Sequence, residues 1–242
     1  MRTTVNEIRE VLIPDLSGRH GPLPPLLLVL TVVTGLVDAF SYLVLGRVFV
    51  ANMTGNIVFL GFALAGASGF SVVASVLALA AFVAGAVAGG RLAHREPRHR
   101  GRLLLSVTVV QTALLLAAWV VGLVADLPAA GGVRWALIVL LALAMGAQNA
   151  VVRSLAVPDL TTTVLTMTVT GIAADGRAGG GSGSRAGVRV LSALAMFVGA
   201  LAGAALIVNG NRDVPLLCAA IAAAAVAIAL VPLRRARGTW TA

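Results

Sequence analysis

Six long apolar runs dominate this chain of 242 residues and decide what it can fold into. A helix needs about 20 consecutive apolar residues to cross the hydrocarbon core of a bilayer. Runs of about that length cover residues 24–46, 71–92, 103–125, 134–152, 187–208 and 214–232. Charged residues make up only 11% of the chain, whereas a soluble domain averages about 25%. The sequence therefore predicts an all-α integral membrane protein and excludes a soluble globule or a disordered chain.

Two further apolar runs, residues 53–66 and 161–175, are short for a membrane crossing. At a rise of about 1.5 Å per residue, each helix would reach about 21–23 Å, against a hydrocarbon core of about 30 Å. We therefore expect six transmembrane helices plus two short re-entrant or half helices. If both short runs cross, the chain has eight transmembrane helices instead.

The two short runs occupy matching positions in an internal repeat. Three segments of the first half have counterparts in the second half at offsets of 111 to 114 residues. The matched pairs are residues 35–39 with 146–150, 49–56 with 161–171, and 85–89 with 199–203. The predicted organisation is an N-terminal cytoplasmic segment (1–22), a first membrane repeat (23–125), a second membrane repeat (126–233) and a basic cytoplasmic tail (234–242).

The placement of the arginines predicts the topology. All 18 basic residues are arginines, against 9 acids, and the cytoplasmic loops of membrane proteins are enriched in basic residues. Six spans with both termini inside leave only Arg47, Arg134 and Arg212 outside. Each half then holds three spans, so the second half inserts upside down relative to the first. We expect the inside arginines to contact anionic lipid headgroups rather than nucleic acid.

Three short motifs are the most distinctive parts of the sequence. They are Gly-Leu-Val-Asp-Ala (residues 35–39), Phe-Val-Ala-Asn-Met-Thr-Gly-Asn (49–56) and Gly-Ala-Gln-Asn-Ala (146–150). Together they resemble the bacterial YoaK-like membrane proteins, the DUF1275 family, over roughly residues 25–232. The resemblance implies a multi-spanning protein of the bacterial inner membrane and assigns no substrate. One departure lies in the second half, where Thr-Met-Thr (166–168) stands in place of Thr-Gly-Asn (54–56).

Asp38 is the sharpest functional candidate because it lies inside the first apolar run. A carboxylate near the bilayer centre costs at least about 2.5 kcal/mol on insertion scales, so it should face the bundle interior and pair or hold a proton. One interpretation is a site that couples transport to a proton or another cation. The other is a buried structural hydrogen bond, for example to residues 52–56.

Other polar residues near the two short runs are candidates for lining a substrate or ion site. In the first half they are Asn52, Thr54, Gly55 and Asn56; in the second half they are Asn149, Thr163 and Thr166. Interrupted helices line such sites in transporters, and Asn149 aligns with Asp38. The alternative for the first group is a helix cap. The alternative for the threonines is a bond back to their own helix.

Glycines spaced four residues apart predict close helix packing. Gly85 with Gly89, and Gly199 with Gly203, have the Gly-x-x-x-Gly spacing that lets helices approach each other. We expect these contacts within the monomer, with the seam of a homo-oligomer as the alternative. Gln111, an amide inside a span, is expected to bond between helices.

The sequence carries no enzyme signature. It has no phosphate-binding Gly-x-x-x-x-Gly-Lys loop, no cluster of metal-ligating His and Cys, and no second carboxylate inside a span. We therefore expect no catalysis, no metal and no cofactor. The leading interpretation is a small secondary transporter or channel for a small polar solute or ion. The alternative is a non-transporting membrane scaffold or assembly protein.

Overall fold

A computed structural model provides the fold. It describes residues 4–13, 15–16, 18–95, 99–125, 127–128, 131–158, 160, 169–171, 173, 186–236 and 238–241. These residues form helices joined by turns and short loops, without a β-strand among them. The predicted site residues Thr163 and Thr166, and most of the second short run, lie outside the described residues.

Eight α-helices are described, followed by one short 3-10 helix. They are α1 (Thr4–Leu12), α2 (Leu23–Val44), α3 (Met53–Leu64), α4 (Val72–Arg95), α5 (Arg100–Val124), α6 (Gly131–Leu155), α7 (Ala186–Val208), α8 (Val214–Leu230) and the 3-10 helix Pro232–Arg235. Six segments are long and apolar enough to cross a membrane: α2, α4, α5, α6, α7 and the stretch Val214–Arg235. The predicted six spans are confirmed, and α3 corresponds to the first short run. Helix α1 was not predicted.

Helices α2 and α6 run antiparallel. The side-chain amide of Gln148 donates to the Thr34 hydroxyl at 3.3 Å, and the Arg134 guanidinium donates to the Gly46 carbonyl at 3.3 Å. Moving forward along the chain from Thr34 to Gly46 therefore means moving backward from Gln148 to Arg134. We call the end of the bundle at Gly46 and Arg134 the distal end.

Helix α3 returns the chain to the end from which it started. Gly85 of α4 faces the backbone of Leu143, and Gly89 faces the backbone of Ala147, so α4 runs parallel to α6. Since α6 is antiparallel to α2, α4 is antiparallel to α2 as well. Helix α4 therefore begins at the distal end, where α2 finishes, and α3 makes no net crossing between them.

Backbone contacts at glycine join the helices of the two halves in a reciprocal way. A β-carbon on Gly35 of α2 would overlap the carbonyl oxygen of Met196 in α7. A β-carbon on Gly146 of α6 would overlap the carbonyl oxygen of Phe82 in α4. Gly146 lies 111 residues after Gly35, and Met196 lies 114 residues after Phe82. The α2–α7 contact is thus reproduced at the offset between the halves by α6–α4.

The same reciprocity holds from the other side of each contact. Gly199 of α7 faces the carbonyl oxygen of Val32, and Gly85 of α4 faces that of Leu143. Gly199 lies 114 residues after Gly85, and Leu143 lies 111 residues after Val32. One turn further on, the remaining predicted glycines, Gly203 and Gly89, face α2 and α6 respectively. All four glycines of the two Gly-x-x-x-Gly pairs therefore lie at contacts inside the monomer.

The other end of the bundle is tied together around Arg100, at the start of α5. Its guanidinium donates to the carbonyl of Arg19 at 3.3 Å, to that of Trp240 at 3.5 Å, and to that of Leu155 at the end of α6. Trp240 is only 2% exposed and packs against Gly21 and Gly101. We call this the proximal end.

Substituting Gly146 tests the close approach of α4 and α6. In Gly146→Ala, the added methyl group meets the Phe82 carbonyl, and we expect a loss of about 1–3 kcal/mol in unfolding free energy, the usual cost of overpacking. Gly90→Ala is the matched control, because a β-carbon there meets nothing within 4 Å. The measurement is the unfolding midpoint of the purified protein in detergent. Equal midpoints for the two variants would contradict this packing.

Candidate functional site

A stripe of polar side chains runs along the interior face of α2. Thr31, Thr34, Asp38 and Ser41 are all buried, and their spacing of three and four residues places them on one face of the helix. The two threonine hydroxyls donate to the carbonyls one turn back, each at 2.9 Å, and Ser41 donates to the carbonyl of Asp38 at 3.1 Å. Asp38 is therefore the member of the stripe whose side chain is not satisfied by its own helix.

Asp38 holds the segment that leads into α3. Its Oδ1 accepts the backbone N–H groups of Val50 and Ala51, at 3.2 and 2.9 Å. Its Oδ2 is buried and meets no donor among the described residues. The structural hydrogen bond predicted as one interpretation is therefore present, and its shortest contacts go to residues 50 and 51, directly before the 52–56 segment. The second carboxylate oxygen, Oδ2, takes no part in this structural bond.

Asn56 clamps the same segment from the other side. Its Oδ1 accepts the backbone N–H of Phe49 at 2.9 Å, and its Nδ2 donates to the Phe49 carbonyl at 2.6 Å. Asn52 caps α3, since its Oδ1 accepts the N–H of Gly55 at 3.4 Å. Gly55 is needed as well, because a β-carbon there would lie 2.7 Å from the Phe49 ring.

The remaining sequence-predicted residues lie apart from this clamp. Thr54 has an exposed side chain on the surface of α3. Asn149 is half-buried on α6 and donates to the Met145 carbonyl of its own helix at 2.8 Å. The structure thus brings Asp38, Asn52, Gly55 and Asn56 together around residues 49–51.

An aromatic cluster surrounds the clamp at the distal end, and sequence reasoning missed it. It consists of Tyr42, Phe49, Phe59, Phe62 and Phe70, whose neighbouring ring centroids lie 5.1 to 6.4 Å apart. The Arg47 guanidinium lies 5.6 Å from the Phe70 ring centroid, close enough for a cation–π contact. The available signal was compositional, since five of the eight Phe and Tyr residues fall between positions 42 and 70.

A second polar group, near the middle of the bundle, was not predicted as a site. Gln111 of α5 donates from Nε2 to Oε1 of Gln148 on α6, and Gln148 donates from its own Nε2 to Thr34 of α2 at 3.3 Å. All three side chains are 1% exposed or less. The expected interhelical bond of Gln111 is present. We call Thr34, Gln111 and Gln148 the central amide cluster.

A cavity of about 890 Å³ opens at the proximal end, between α1, the segment that follows α6 and the start of α7. Its charged lining residues are Glu7, Arg9, Glu10, Asp15 and Arg19. Glu7 also accepts the backbone N–H of Gly187 at 3.2 Å, which ties α1 to α7. Within the described part of the chain, no three His, Cys, Asp or Glu side chains lie close enough to hold a metal ion.

Six long apolar helices, buried polar groups and an apolar outer surface define a multi-pass helical membrane protein. Residues 26–229 match the family described as "Protein of unknown function (DUF1275)", and the chain belongs to this family. It is 34% identical over 152 residues to the UPF0700 transmembrane protein YoaK of Bacillus subtilis (strain 168). That match covers 62% of this chain and 65% of the relative. No solved structure matches.

Removing the Asn56 side chain tests the clamp. Asn56→Ala leaves both polar backbone groups of Phe49 without their partner, so we expect the unfolding free energy to fall by about 1–3 kcal/mol, the cost of an unsatisfied buried group. Thr54→Val, two residues away on the exposed surface, should change it by less than about 0.5 kcal/mol. Unfolding midpoints in detergent compare the two. A clamp without structural importance would give the same midpoint for both.

Proposed function

We propose that this protein is a small secondary transporter or channel for a small polar solute or ion, without catalytic activity. The observation that carries the proposal is the reciprocal, antiparallel packing of its two halves around buried polar side chains. Helices α2, α4 and α5 form one half, and α6, α7 and α8 form the other. Inverted repeats with interrupted segments in matching positions are a mark of secondary-transporter cores.

The reciprocal glycine contacts support an inverted repeat. The contacting residues are related by an offset of 111 residues between α2 and α6, and by one of 114 residues between α4 and α7. Helices α2 and α6 also point in opposite directions. If the similarity between two Ala- and Gly-rich segments were accidental, their glycines could match in sequence. The residues against which those glycines pack would not match at the same time. Helix α3 fits this arrangement as the interrupted segment of the first half.

The position of the polar groups supports a binding site between the halves. Thr34 and Gln111 belong to the first half and Gln148 to the second, so the central amide cluster crosses the boundary. Substrate sites of inverted-repeat transporters lie at this boundary near the bilayer midplane. Polar groups at that depth are costly and usually mark an ion or substrate pathway.

Asp38 is proposed as the coupling carboxylate. It is 4% exposed, and its Oδ2 lacks a donor among the described residues, so this oxygen can take up and release a proton or another cation. Oδ1 meanwhile remains fixed by Val50 and Ala51, at the start of the interrupted segment. A change of charge at Asp38 would act directly on the segment that leads into α3.

A non-transporting scaffold is the second candidate, and the clamp favours it. Asn52, Gly55 and Asn56 were predicted to line a site, yet each makes an intramolecular contact that holds the segment before α3. Such a protein would need Asp38 only for its bonds to Val50 and Ala51. The two functions therefore differ in what a neutral side chain at position 38 should do.

Replacing Asp38 by Asn separates the two functions. Asn keeps an oxygen that can accept from Val50 and Ala51, but it removes the charge, so the protein should insert and fold while coupled flux falls at least tenfold. The measurement is ion and solute flux into proteoliposomes that contain the purified protein. Asp213→Asn is the matched control, because Asp213 bonds Trp119 at the distal end, away from the stripe. Full flux in Asp38→Asn would rule out the coupling role.

We place the protein in the bacterial cytoplasmic membrane with its proximal end inside. The described arginines at that end are Arg9, Arg19, Arg91, Arg95, Arg100, Arg102, Arg153, Arg189, Arg234 and Arg235. Those described at the distal end are Arg47, Arg134 and Arg212. This asymmetry fits the positive-inside rule and a contact between the proximal end and anionic headgroups.

Thiol labelling of intact cells tests this orientation. On a Cys218→Ala background, Ala67→Cys lies between α3 and α4 at the distal end, and His94→Cys lies in the last turn of α4 at the proximal end. Both positions are exposed. A membrane-impermeant thiol reagent should label Ala67→Cys, and it should label His94→Cys only after the cells are permeabilised. The reverse pattern would mean that the proximal end faces outward.

A further inference from the structure

The donors and acceptors of the central amide cluster have a fixed order. The Thr34 hydroxyl donates its only proton to the Leu30 carbonyl at 2.9 Å, so it can only accept from Gln148. Gln148 must therefore turn its NH₂ group toward Thr34 and its oxygen toward Gln111. Gln111 must in turn donate from its own NH₂ group. The chain of bonds leaves the Gln111 side-chain oxygen at its end.

That oxygen has no hydrogen-bond partner in the part of the chain that the structure describes. Gln111 Oε1 is buried and receives no hydrogen bond from any described residue. The Gln111 side chain is only 1% exposed, so solvent does not reach this oxygen in the structure either. Leaving a buried acceptor without a hydrogen bond is costly, and the surrounding lipid offers no water to reduce the cost. Such an atom in a spanning segment is open to a partner that the described residues do not supply.

A second unpartnered oxygen lies on the polar stripe of α2, to which Thr34 of the central amide cluster also belongs. Asp38 is four residues after Thr34, one turn and about 6 Å further along α2 toward the distal end. Its Oδ2 is also buried without a donor among the described residues. Both unpartnered atoms are acceptors, one an amide oxygen and the other a carboxylate oxygen. Their partner must therefore carry positive charge or donate protons.

The charges around the stripe exclude an anion as that partner. The chain has no lysine, and the arginines that the structure describes lie in the terminal turns of the spanning helices or between them. Asp38 therefore has no basic side chain beside it along the middle of the described bundle. An anion at this depth would meet oxygen lone pairs and a carboxylate, whereas a cation would be stabilised by both.

We propose that the central amide cluster binds the transported species and that this species is a small monovalent cation, such as Na⁺, K⁺ or ammonium. The inference rests on the proposed transport function and narrows its substrate class. Gln111 Oε1 supplies a neutral oxygen in the middle of the bundle, and Asp38, one turn from Thr34 along α2, supplies the negative charge. Thr34 and Gln148 are positioning residues, because they hold the amide of Gln111 with its oxygen free.

Thermal unfolding of the detergent-purified protein tests binding without any need for flux. We expect the midpoint to rise in a saturable way with NaCl, KCl or NH₄Cl relative to choline chloride at equal ionic strength. A rise with one of the three salts identifies the cation and separates a metal ion from ammonium. Replacing chloride by gluconate should leave that rise unchanged. A rise that follows the anion instead of the cation would overturn the proposal.

Variants of Gln111 assign the effect to the cluster. Gln111→Leu removes the unpartnered oxygen and should weaken the apparent cation affinity at least tenfold. Gln111→Asn keeps an amide that has both an NH₂ group and an oxygen, and it should retain part of the response, which keeps the test valid if the leucine variant folds poorly. Thr112→Val is the matched control, because the Thr112 hydroxyl bonds to the Thr108 carbonyl of its own helix at 2.7 Å and should not matter. An unchanged affinity in Gln111→Leu, or no cation response in the wild type, would disprove the inference.

Flux in proteoliposomes distinguishes this inference from the proposed function. Cation binding that depends on Gln111, without flux of any tested solute, would support the site and contradict transport. Flux that is unaffected by Gln111→Leu, or flux of an anion, would support transport and contradict the cation site. Cation flux that is lost in both Gln111→Leu and Asp38→Asn would support the two together.

Discussion

The close approach of backbones at glycine is the contact on which the rest of the bundle depends. Helices α2 and α7, and likewise α4 and α6, touch where a single β-carbon would overlap a carbonyl of the neighbour. In a bilayer, apolar surface gains little by leaving lipid, so such tight van der Waals packing has to hold helices together. The α4–α6 crossing makes these two helices parallel, and the bonds of Gln148 to Thr34 and of Arg134 to Gly46 make α6 antiparallel to α2. Together these contacts place the start of α4, and so the end of α3, at the distal end.

The spans could be predicted because hydropathy depends only on the local chain, and a bilayer sets one length for every crossing. The glycine pairs were recognisable for a similar reason, since their spacing is a property of one helix. Their partners were not, because the contact of Gly35 with Met196 joins positions 161 residues apart. The short helix α1 was missed because its nine residues are amphipathic rather than continuously apolar, so they do not stand out in a hydropathy pattern set by the bilayer.

The sequence does not show which backbone groups of a loop a polar side chain satisfies. Asn56 and Asp38 were recognised as unusual, but nothing in their spacing shows that both hold residues 49–51. Gln148 stands beside Asn149 in the motif at residues 146–150, yet only Asn149 was predicted as a site residue. The importance of Gln148 comes from contacts with two other helices. The polar interior therefore has two parts, a clamp near the distal end and an amide cluster at mid-depth, and Asp38 lies on the helix that links them.

The contacts of α2 differ greatly in sequence separation, which has a consequence for the order of assembly. Asp38 meets its partners Val50 and Ala51 within 13 residues, so this carboxylate can be bonded as soon as α2 and the segment after it exist. Thr34 must wait for Gln148, 114 residues later, and Gly35 must wait for α7. Long-range contacts of this kind form late. During synthesis, the costliest group of the interior is thus shielded first, and the face that joins the two halves is completed last.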